Sequence, residues 1–195
     1  ESVGGLVGSA GGITIDGSYA TGNITGQLNV GGLVGDFTYG LISKSSASGN
    51  VTGDVVVGGL VGRYSSVAGT FGESYGVVRS HATGHVSGEA LVGGLIGLTD
   101  TMGRDNFLAV YATGRVSGNT QIGGLIGSHN GGLLNGSYAT GDVTGTGDRV
   151  GGLIGYVTHN DYPNNGIDTV YASGNVMGVN AVGGLIGAVG DAGAG

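Results

Sequence analysis

His81 and His85 stand four residues apart in the stretch HATGH. Two histidines with this spacing bind one zinc ion when they lie on a helix with a Glu between them. No Glu is present here. The surrounding Thr, Val, Ser and Gly residues favour a strand, along which four residues span roughly 13 Å. We therefore expect both side chains at the surface and no metal between them. His129 and His159 are isolated, and we expect each to be a loop residue.

Two pairs of aspartates, Asp100 with Asp105 and Asp161 with Asp168, are candidates for calcium binding or for acid chemistry. Calcium prefers about six to eight oxygen ligands, and the chain lacks the tandem GGxGxD repeats that bind calcium in β-rolls. Glycosidases also use paired carboxylates, but no dense cluster of Asp, Glu, Lys and aromatic residues surrounds these pairs. We expect solvated loop acids, no catalytic residue, no metal and no cofactor.

The pattern GGL, then Val or Ile, then Gly occurs seven times. A phosphate-binding loop has the form GxxxxGK[ST], and no Lys follows any of these glycines, so we assign the pattern a structural role. The structural repeat positions after the first copy are Gly31, Gly32, Leu33, Gly35, Gly58, Gly59, Leu60, Gly93, Gly94, Leu95, Gly123, Gly124, Leu125, Gly151, Gly152, Leu153, Gly183, Gly184 and Leu185.

Composition excludes several classes of function. The 195-residue chain has a formal charge of −7, and its six Lys and Arg residues are scattered singly. Phosphate backbones bind clustered basic side chains, so we expect no nucleic-acid partner. No run of about 18 apolar residues predicts a membrane span. The chain contains no Cys and begins with Glu1, and we interpret it as a fragment of a larger polypeptide.

A second motif alternates with the first and sets the architecture. It reads YATGNITG from residue 19 and recurs through YASGNVMG from residue 171. Its first Gly precedes the next diglycine by nine residues in five copies and by ten in one. Such a period, with short Gly-bounded segments rich in Val, Ile, Thr and Tyr, predicts an all-β fold, a right-handed parallel β-helix (β-solenoid). We expect about six to seven rungs of three short strands each, in one repeat domain over residues 1–195, with inserts at 63–80, 98–110 and 156–170.

Alternation along YATGNIT predicts which side chains face outward. Ala20 and Ile24 share the inner side, and Tyr19, Thr21 and Asn23 share the outer side. Rows of Thr and Ser across rungs are one candidate for binding ice or a regular polymer, although the Asn23 row also contains His, Arg and Asp. The Tyr19 row is a candidate for stacking on sugars or for covering the core. The simpler interpretation is a solvated strand of β-branched residues.

The succession of YATG, a spaced Val and VGGLVG resembles the GLUG motif, a short repeat of bacterial surface and secreted proteins. The resemblance extends from Val3 to Gly187. It implies a large extracellular protein: an adhesin, a filamentous-haemagglutinin-like protein, or a segment flanking the protease domain of an IgA-specific metallopeptidase. It implies no catalytic residues for the repeat itself.

These observations predict a non-catalytic structural or adhesive segment, extracellular or at the bacterial cell surface. The expected partners are the rest of a larger polypeptide and a protein or glycan on a host or neighbouring cell. Because loops on a rigid scaffold carry function, the candidate ligand contacts lie in the inserts: Tyr64, Tyr75, Tyr156, Asn160, Asp161 and Tyr162. The alternatives are a polysaccharide-active β-helix enzyme and an ice- or polymer-binding solenoid.

Overall fold

The computed structural model describes residues 1–66, 75–101, 105–159 and 166–191. In this part of the chain every regular element is a β-strand, and no helix long and apolar enough to cross a membrane occurs. The chain passes six times through the same five strands and begins a seventh passage. We call each passage a rung. Rungs 1 to 7 occupy residues 3–25, 28–52, 55–87, 90–118, 120–145, 148–177 and 180–191.

Equivalent strands of successive rungs pair in parallel and form five sheets, numbered here in the order in which each rung visits them. Sheet 1 contains Val3–Gly4, Leu28–Gly31, Val55–Gly58, Ala90–Gly93, Thr120–Gly123, Asp148–Gly151 and Asn180–Gly183. Sheet 2 contains Val7–Gly11, Val34–Thr38, Val61–Ser65, Ile96–Asp100, Ile126–Asn130, Ile154–His159 and Ile186–Asp191.

The three remaining sheets have six strands each. Sheet 3 contains Thr14–Asp16, Leu41–Ser43, Gly76–Val78, Asn106–Leu108, Leu133–Asn135 and Gly166–Asp168. Sheet 4 contains Tyr19–Ala20, Ser46–Ala47, His81–Ala82, Tyr111–Ala112, Tyr138–Ala139 and Tyr171–Ala172. Sheet 5 contains Ile24–Thr25, Val51–Thr52, Val86–Ser87, Val116–Gly118, Val143–Gly145 and Val176–Met177.

The predicted β-solenoid is confirmed, but each rung has five strands rather than three. The difference arises at two bends inside segments that the sequence presents as continuous. The expected bend at the diglycine separates Leu28–Gly31 from Val34–Thr38. A second bend at Gly22 separates Tyr19–Ala20 from Ile24–Thr25. The right-handed sense of winding stays a prediction.

All three predicted inserts begin later and end earlier than expected. Arg63 to Ser65 continues a regular sheet-2 strand, and Gly76–Val78 already belongs to sheet 3. The second insert likewise lies between the strands Ile96–Asp100 and Asn106–Leu108, and the third lies between Ile154–His159 and Gly166–Asp168. The added residues therefore all enter at one corner of the rung, between sheet 2 and sheet 3. In rung 2, which has no insert, only residues 39–40 connect the two strands at this corner.

The diglycine is required because backbones of adjacent rungs meet where a side chain would stand. A Cβ on Gly32 would lie 2.1 Å from the carbonyl oxygen of Gly59, and one on Gly31 would lie 2.6 Å from the amide nitrogen of Gly62. Both separations are far below van der Waals contact. The same approach recurs at each diglycine followed by another rung, so the motif lets rungs stack at the spacing of a parallel sheet.

The amide groups of this corner are also fully used. Gly32 donates to the carbonyl of Gly58, and Leu33 and Val34 both donate to that of Leu60. Three consecutive N–H groups therefore bond to the next rung, whereas a phosphate-binding loop would point them at its ligand. The geometry agrees with the structural role that the missing Lys indicated.

The core lies inside the rungs in two columns. The larger column holds the Leu that follows the diglycine in rungs 2 to 6, with Leu33, Leu60 and Leu95 fully buried, and the inward residues of sheets 2, 3 and 4. The smaller column stacks Val and Ile from sheets 1 and 5, such as Val30 and Val51. Ala at the second position of each sheet-4 strand and the Val or Ile of sheet 5 face inward, as the alternation predicts.

Substitution of the diglycine tests whether close approach between rungs holds the stack together. We expect Gly59→Ala to prevent folding or to cost roughly 4 kcal/mol or more, because its Cβ would lie 2.1 Å from the Gly94 carbonyl oxygen. Gly184→Ala is the matched control at the same motif position, since no atom lies within 4 Å of its added Cβ. Urea unfolding followed by circular dichroism measures both. Equal losses of stability would contradict the steric account.

One corner residue per rung, after sheet 3, adopts a left-handed backbone. Gly fills this position at Gly17 and Gly136, and Thr169 occupies it in rung 6 with φ of 53°. A β-branched residue is strained in this region. We therefore expect Thr169→Gly to raise the free energy of unfolding by about 0.5–1 kcal/mol. Gly136→Thr should lower it by a similar amount. Urea unfolding measures both variants. A shift of their two midpoints in the same direction would contradict the prediction.

Candidate functional site

The predicted ligand contacts in the inserts are distributed between the core and the surface. Tyr64 is fully buried, so its assignment to a ligand-contact surface does not hold. The physical reason is register: Tyr64 pairs with Phe37 and Thr99 on the inward row of sheet 2. It stands six residues after the first Gly of its motif, as Phe37 does, and this spacing was a usable signal in the sequence.

The other candidate contacts lie at or near the surface, or outside the described residues. Tyr75 is half-buried at the start of the third rung's sheet-3 strand, where its carbonyl accepts the N–H of Asn106. Tyr156 is half-buried on the outer row of sheet 2, with the Arg149 guanidinium 4.5 Å from its ring centroid. Asn160, Asp161 and Tyr162 lie outside the described residues.

Asp100 and Asp105, proposed as one acid pair, lie on opposite sides of the rung. Asp100 is partly exposed on the outer side of sheet 2, where it accepts hydrogen bonds from Arg63 and Asn130. Asp105 is only 4% exposed, so it is not a solvated loop acid, and it lies on the inner side. Asp168 accepts a bond from Asn135, and Asp161 lies outside the described residues. Among the described residues, no group of three or more His, Cys, Asp and Glu is placed to hold a metal ion.

Asp105 forms a buried polar cluster at the corner where the first two inserts leave the rungs. It accepts hydrogen bonds from the Tyr64 hydroxyl, at 2.9 Å, and from the Ser66 hydroxyl. Ser66 is 8% exposed and Tyr64 is fully buried. The cluster joins rung 3 to rung 4 and is closed to a substrate, so its chemistry is that of a structural anchor.

His129 was expected in a loop but lies on the inner row of sheet 2, because it stands at the same motif position as Tyr64. It is 3% exposed, and its Nδ1 lies 2.8 Å from the Thr99 hydroxyl. That hydroxyl oxygen already accepts the N–H of Asn130, so its proton is available to Nδ1. When the neutral ring carries its proton on Nε2, Nδ1 accepts this hydroxyl proton. Burial lowers the pKa of His129 to about 4, although its bond to the Gly132 backbone acts in the opposite direction.

The pKa of His129 predicts acid sensitivity. The unfolded chain takes up a proton near pH 6.5 and the folded chain only near pH 4. The stabilisation from neutral His129 is therefore complete above pH 6.5 and falls as the pH decreases towards 4. From pH 7 to 4.5, we expect the wild type to lose about 2 kcal/mol more unfolding free energy than His129→Gln, as measured by urea unfolding. Parallel losses in both proteins would contradict this role for His129.

The exposed surface of sheets 4 and 5 carries regular rows of aromatic and polar side chains. Four outward residues alternate with inward ones from Tyr19 to Thr25, and each recurs in later rungs. We call this surface the ladder face. Its first row contains His81, Tyr111, Tyr138 and Tyr171, whose ring centroids are 4.6, 5.0 and 4.9 Å apart with planes within 6° of parallel.

Stacking changes what the aromatic row offers to a ligand. Each inner ring has both faces against its neighbours, so it presents an edge and not a face to solvent. Burial raises the pKa of Tyr138. The neighbouring Tyr111 and Tyr171 raise this pKa further, because ionised phenols that stack on one another would repel. Because their faces are covered, the inner rings cannot stack on a sugar. Ring faces remain available only where the row is interrupted or ends.

The second row consists of exposed hydroxyl residues. From rung 2 onwards, each donates its backbone N–H to the carbonyl of the Ala in the rung before, as Thr113 does to Ala82 and Thr140 to Ala112. The side chains are thereby held at the rung spacing of about 4.8 Å. The row consists of Thr21, Ser48, Thr83, Thr113, Thr140 and Ser173.

The third row is a ladder of side chains bonded to the following backbone. Asn23 Oδ1 accepts the N–H of Asn50, and Asn50 Oδ1 accepts that of His85. His85 Nδ1 in turn accepts the N–H of Arg115. His85 therefore has a definite surface role as an acceptor in this ladder, and His81 lies apart from it in the ring row. The two histidines share no ligand position.

Two open concavities flank the outer row of sheet 5. The larger has a volume of about 530 Å³ and the smaller about 290 Å³, and both reach Thr144. The larger is lined by Arg115, Asp142, Thr144, Asn175, Val176 and Met177. The smaller is lined chiefly by Ser87, Glu89, Ser117, Asn119, Thr144 and Thr146. No single rung contains either lining, so sequence reasoning did not find them.

The larger concavity combines a cation, an anion and an amide at one surface. Arg115 and Asp142 approach to 3.9 Å and both remain partly exposed. Asp142 Oδ1 accepts bonds from the backbone N–H and the Nδ2 of Asn175. The second Asp142 oxygen and the guanidinium edge can therefore bond to an incoming hydroxyl group. Met177, 66% exposed, adds an apolar wall.

Comparison with known protein families identifies the repeat at one end of the chain. Residues 1–25 match the family model of the GLUG motif. This stretch is rung 1, and its strands pair in register with those of rung 2, Val3 with Val30 and Tyr19 with Ser46. The match is consistent with a GLUG-repeat region. No curated protein matches the chain, and no solved structure matches it.

Proposed function

We propose that this chain is a non-catalytic adhesive segment of a bacterial extracellular or cell-surface protein, and that it binds glycan through the ladder face. The observation that carries the proposal is the concavity at Arg115, Asp142 and Asn175, within a surface of repeated hydroxyl and amide groups. Six stacked rungs extend about 30 Å at the spacing of parallel strands. Rung-to-rung backbone bonding makes this length a stiff support.

The charge and chemistry of the face favour a neutral glycan. The chain carries a net charge of −7, which repels acidic polymers over the whole surface. Paired carboxylate, guanidinium and amide groups bond readily to the neighbouring hydroxyls of a sugar, and Met177 can contact its apolar side. The hydroxyl row, which recurs at about 4.8 Å, offers further hydrogen bonds to the next part of an extended chain.

The hydrogen bonds of three aspartates support the non-catalytic part of the proposal. Asp142 is bonded to Asn175, Asp100 to Arg63, and Asp105 to two buried hydroxyls. An enzyme of the glycosidase type would need two carboxylates facing one another across a bound sugar. Asp100 and Asp105 face opposite sides of the rung, which favours adhesion over hydrolysis.

Ice binding is less well supported than glycan binding. The hydroxyl row is regular, but the adjacent row changes from Asn23 to His85, Arg115 and Asp142 along the solenoid. A lattice-matched surface would repeat the same group in every rung. The varied charges suit discrete hydrogen bonds to sugar hydroxyls instead.

Glycan-array binding tests the proposal. We expect the wild type to bind neutral polysaccharides and Arg115→Gln to bind them at least ~10-fold more weakly, because a charge-assisted hydrogen bond contributes about 1.5–3 kcal/mol. Arg79→Gln is the matched control, since it removes the same charge from an exposed corner outside the concavity. No binding by the wild type, or equal weakening in both variants, would overturn the proposal.

A further inference from the structure

The aromatic row of the ladder face lacks one ring. Tyr19 belongs to rung 1 and His81 to rung 3, and in register between them stands Ser46 of rung 2. From His81 onwards the row is continuous through Tyr171. Rung 2 thus leaves a gap one residue wide in a stack that is otherwise regular.

The dimensions of the gap follow from the rest of the row. Neighbouring rings lie 4.6 to 5.0 Å apart, so two rings separated by an empty rung lie about 10 Å apart. Tyr19 is 74% exposed, compared with 53% for Tyr171, whose one face is covered by Tyr138. The face of Tyr19 towards rung 2 is therefore open, and the small Ser46 side chain covers little of it.

Hydroxyl groups line the gap. Ser46 forms the floor, and the exposed hydroxyls of Thr21, Ser48 and Thr83 stand two residues farther along the same three rungs. The gap therefore has two aromatic walls, a hydroxyl floor and a hydroxyl side. Aromatic faces attract polarised C–H groups, and hydroxyls both donate and accept hydrogen bonds.

We propose that this gap binds a single neutral pyranose ring, sandwiched between Tyr19 and His81. The two C–H faces of the sugar contact the aromatic walls, and its equatorial hydroxyls bond to Ser46 and the neighbouring hydroxyl row. The inference rests on the proposed glycan-binding function and adds a second contact point on the same face, separate from the concavity at Arg115.

A pyranose fits the gap better than an aromatic side chain from a protein partner. A chair-shaped ring is thicker than a flat one, and the separation of about 10 Å leaves about 5 Å on each side of its centre. An aromatic guest would also leave Thr21, Ser48 and Thr83 without a bonding partner in the contact, whereas sugar hydroxyls engage them.

Ser46→Tyr provides a direct test, because it fills the gap with a ring from the chain itself. The probe is methyl β-glucopyranoside, followed by saturation-transfer NMR and by the ring-proton resonances of His81. We expect the wild type to bind the probe and to shift His81 while leaving His85 unchanged. Ser46→Tyr should bind at least ~10-fold more weakly and should have an equal or higher urea midpoint. Ser46→Thr, which keeps the small hydroxyl, should bind like the wild type.

A second variant separates loss of the site from loss of folding. Tyr19→Ala removes one wall at an exposed position of rung 1, so it should stay folded and lose the His81 shift. Undiminished probe binding by Ser46→Tyr or Tyr19→Ala would overturn the inference, as would a probe that leaves His81 unchanged. Binding of phenol without binding of the glycoside would also overturn it and would identify an aromatic side chain as the occupant.

The two glycan proposals fail independently. Arg115→Gln should leave the His81 response to the glycoside intact, and Ser46→Tyr should leave polysaccharide binding at the Arg115 concavity measurable. Absence of the His81 response to the glycoside in the wild type, with polysaccharide binding retained, rejects the ring gap. Absence of polysaccharide binding in the wild type rejects the proposed function.

Discussion

The close approach of backbones at the diglycine corner is the constraint on which the rest of the structure depends. Only a residue without a side chain admits the Gly59 carbonyl oxygen to within 2.1 Å of the Cβ position of Gly32. At that separation, three consecutive N–H groups of the corner bond to the next rung. The rungs are thereby held at sheet spacing, and buried Leu side chains such as Leu33 stack directly above one another.

Stacking at this spacing converts single residues into rows, and the rows carry the chemistry of the surface. A Tyr alone on a strand would offer its face to solvent, whereas Tyr138 between two neighbours offers only its edge. An Asn alone would be solvated, whereas Asn50 bonds to the backbone of the next rung. Two irregular positions, Ser46 within the ring row and Arg115 within the amide row, therefore differ from their neighbours in what they offer a ligand.

Regular positions of the motif were predicted from the sequence, and positions between the two motifs were not. The structural role of Gly31 and the inward direction of Ala20 follow from a short period and from strand alternation. Tyr64 and His129 were misplaced because they adjoin stretches without the motif. Their register is nevertheless set by the preceding diglycine, which carries the strand through Ser65 and Asn130 before the corner is reached.

The sequence by itself determined the class of fold, the repeat length and the corner at which the added residues enter, because these depend on local periodicity and on where glycine is tolerated. The tertiary structure alone decided the number of strands in a rung, the burial of Asp105 and the composition of the two concavities. Each of these depends on distances between residues about thirty positions apart in the chain, such as Arg115 and Asp142. Such distances are set only when the rungs stack.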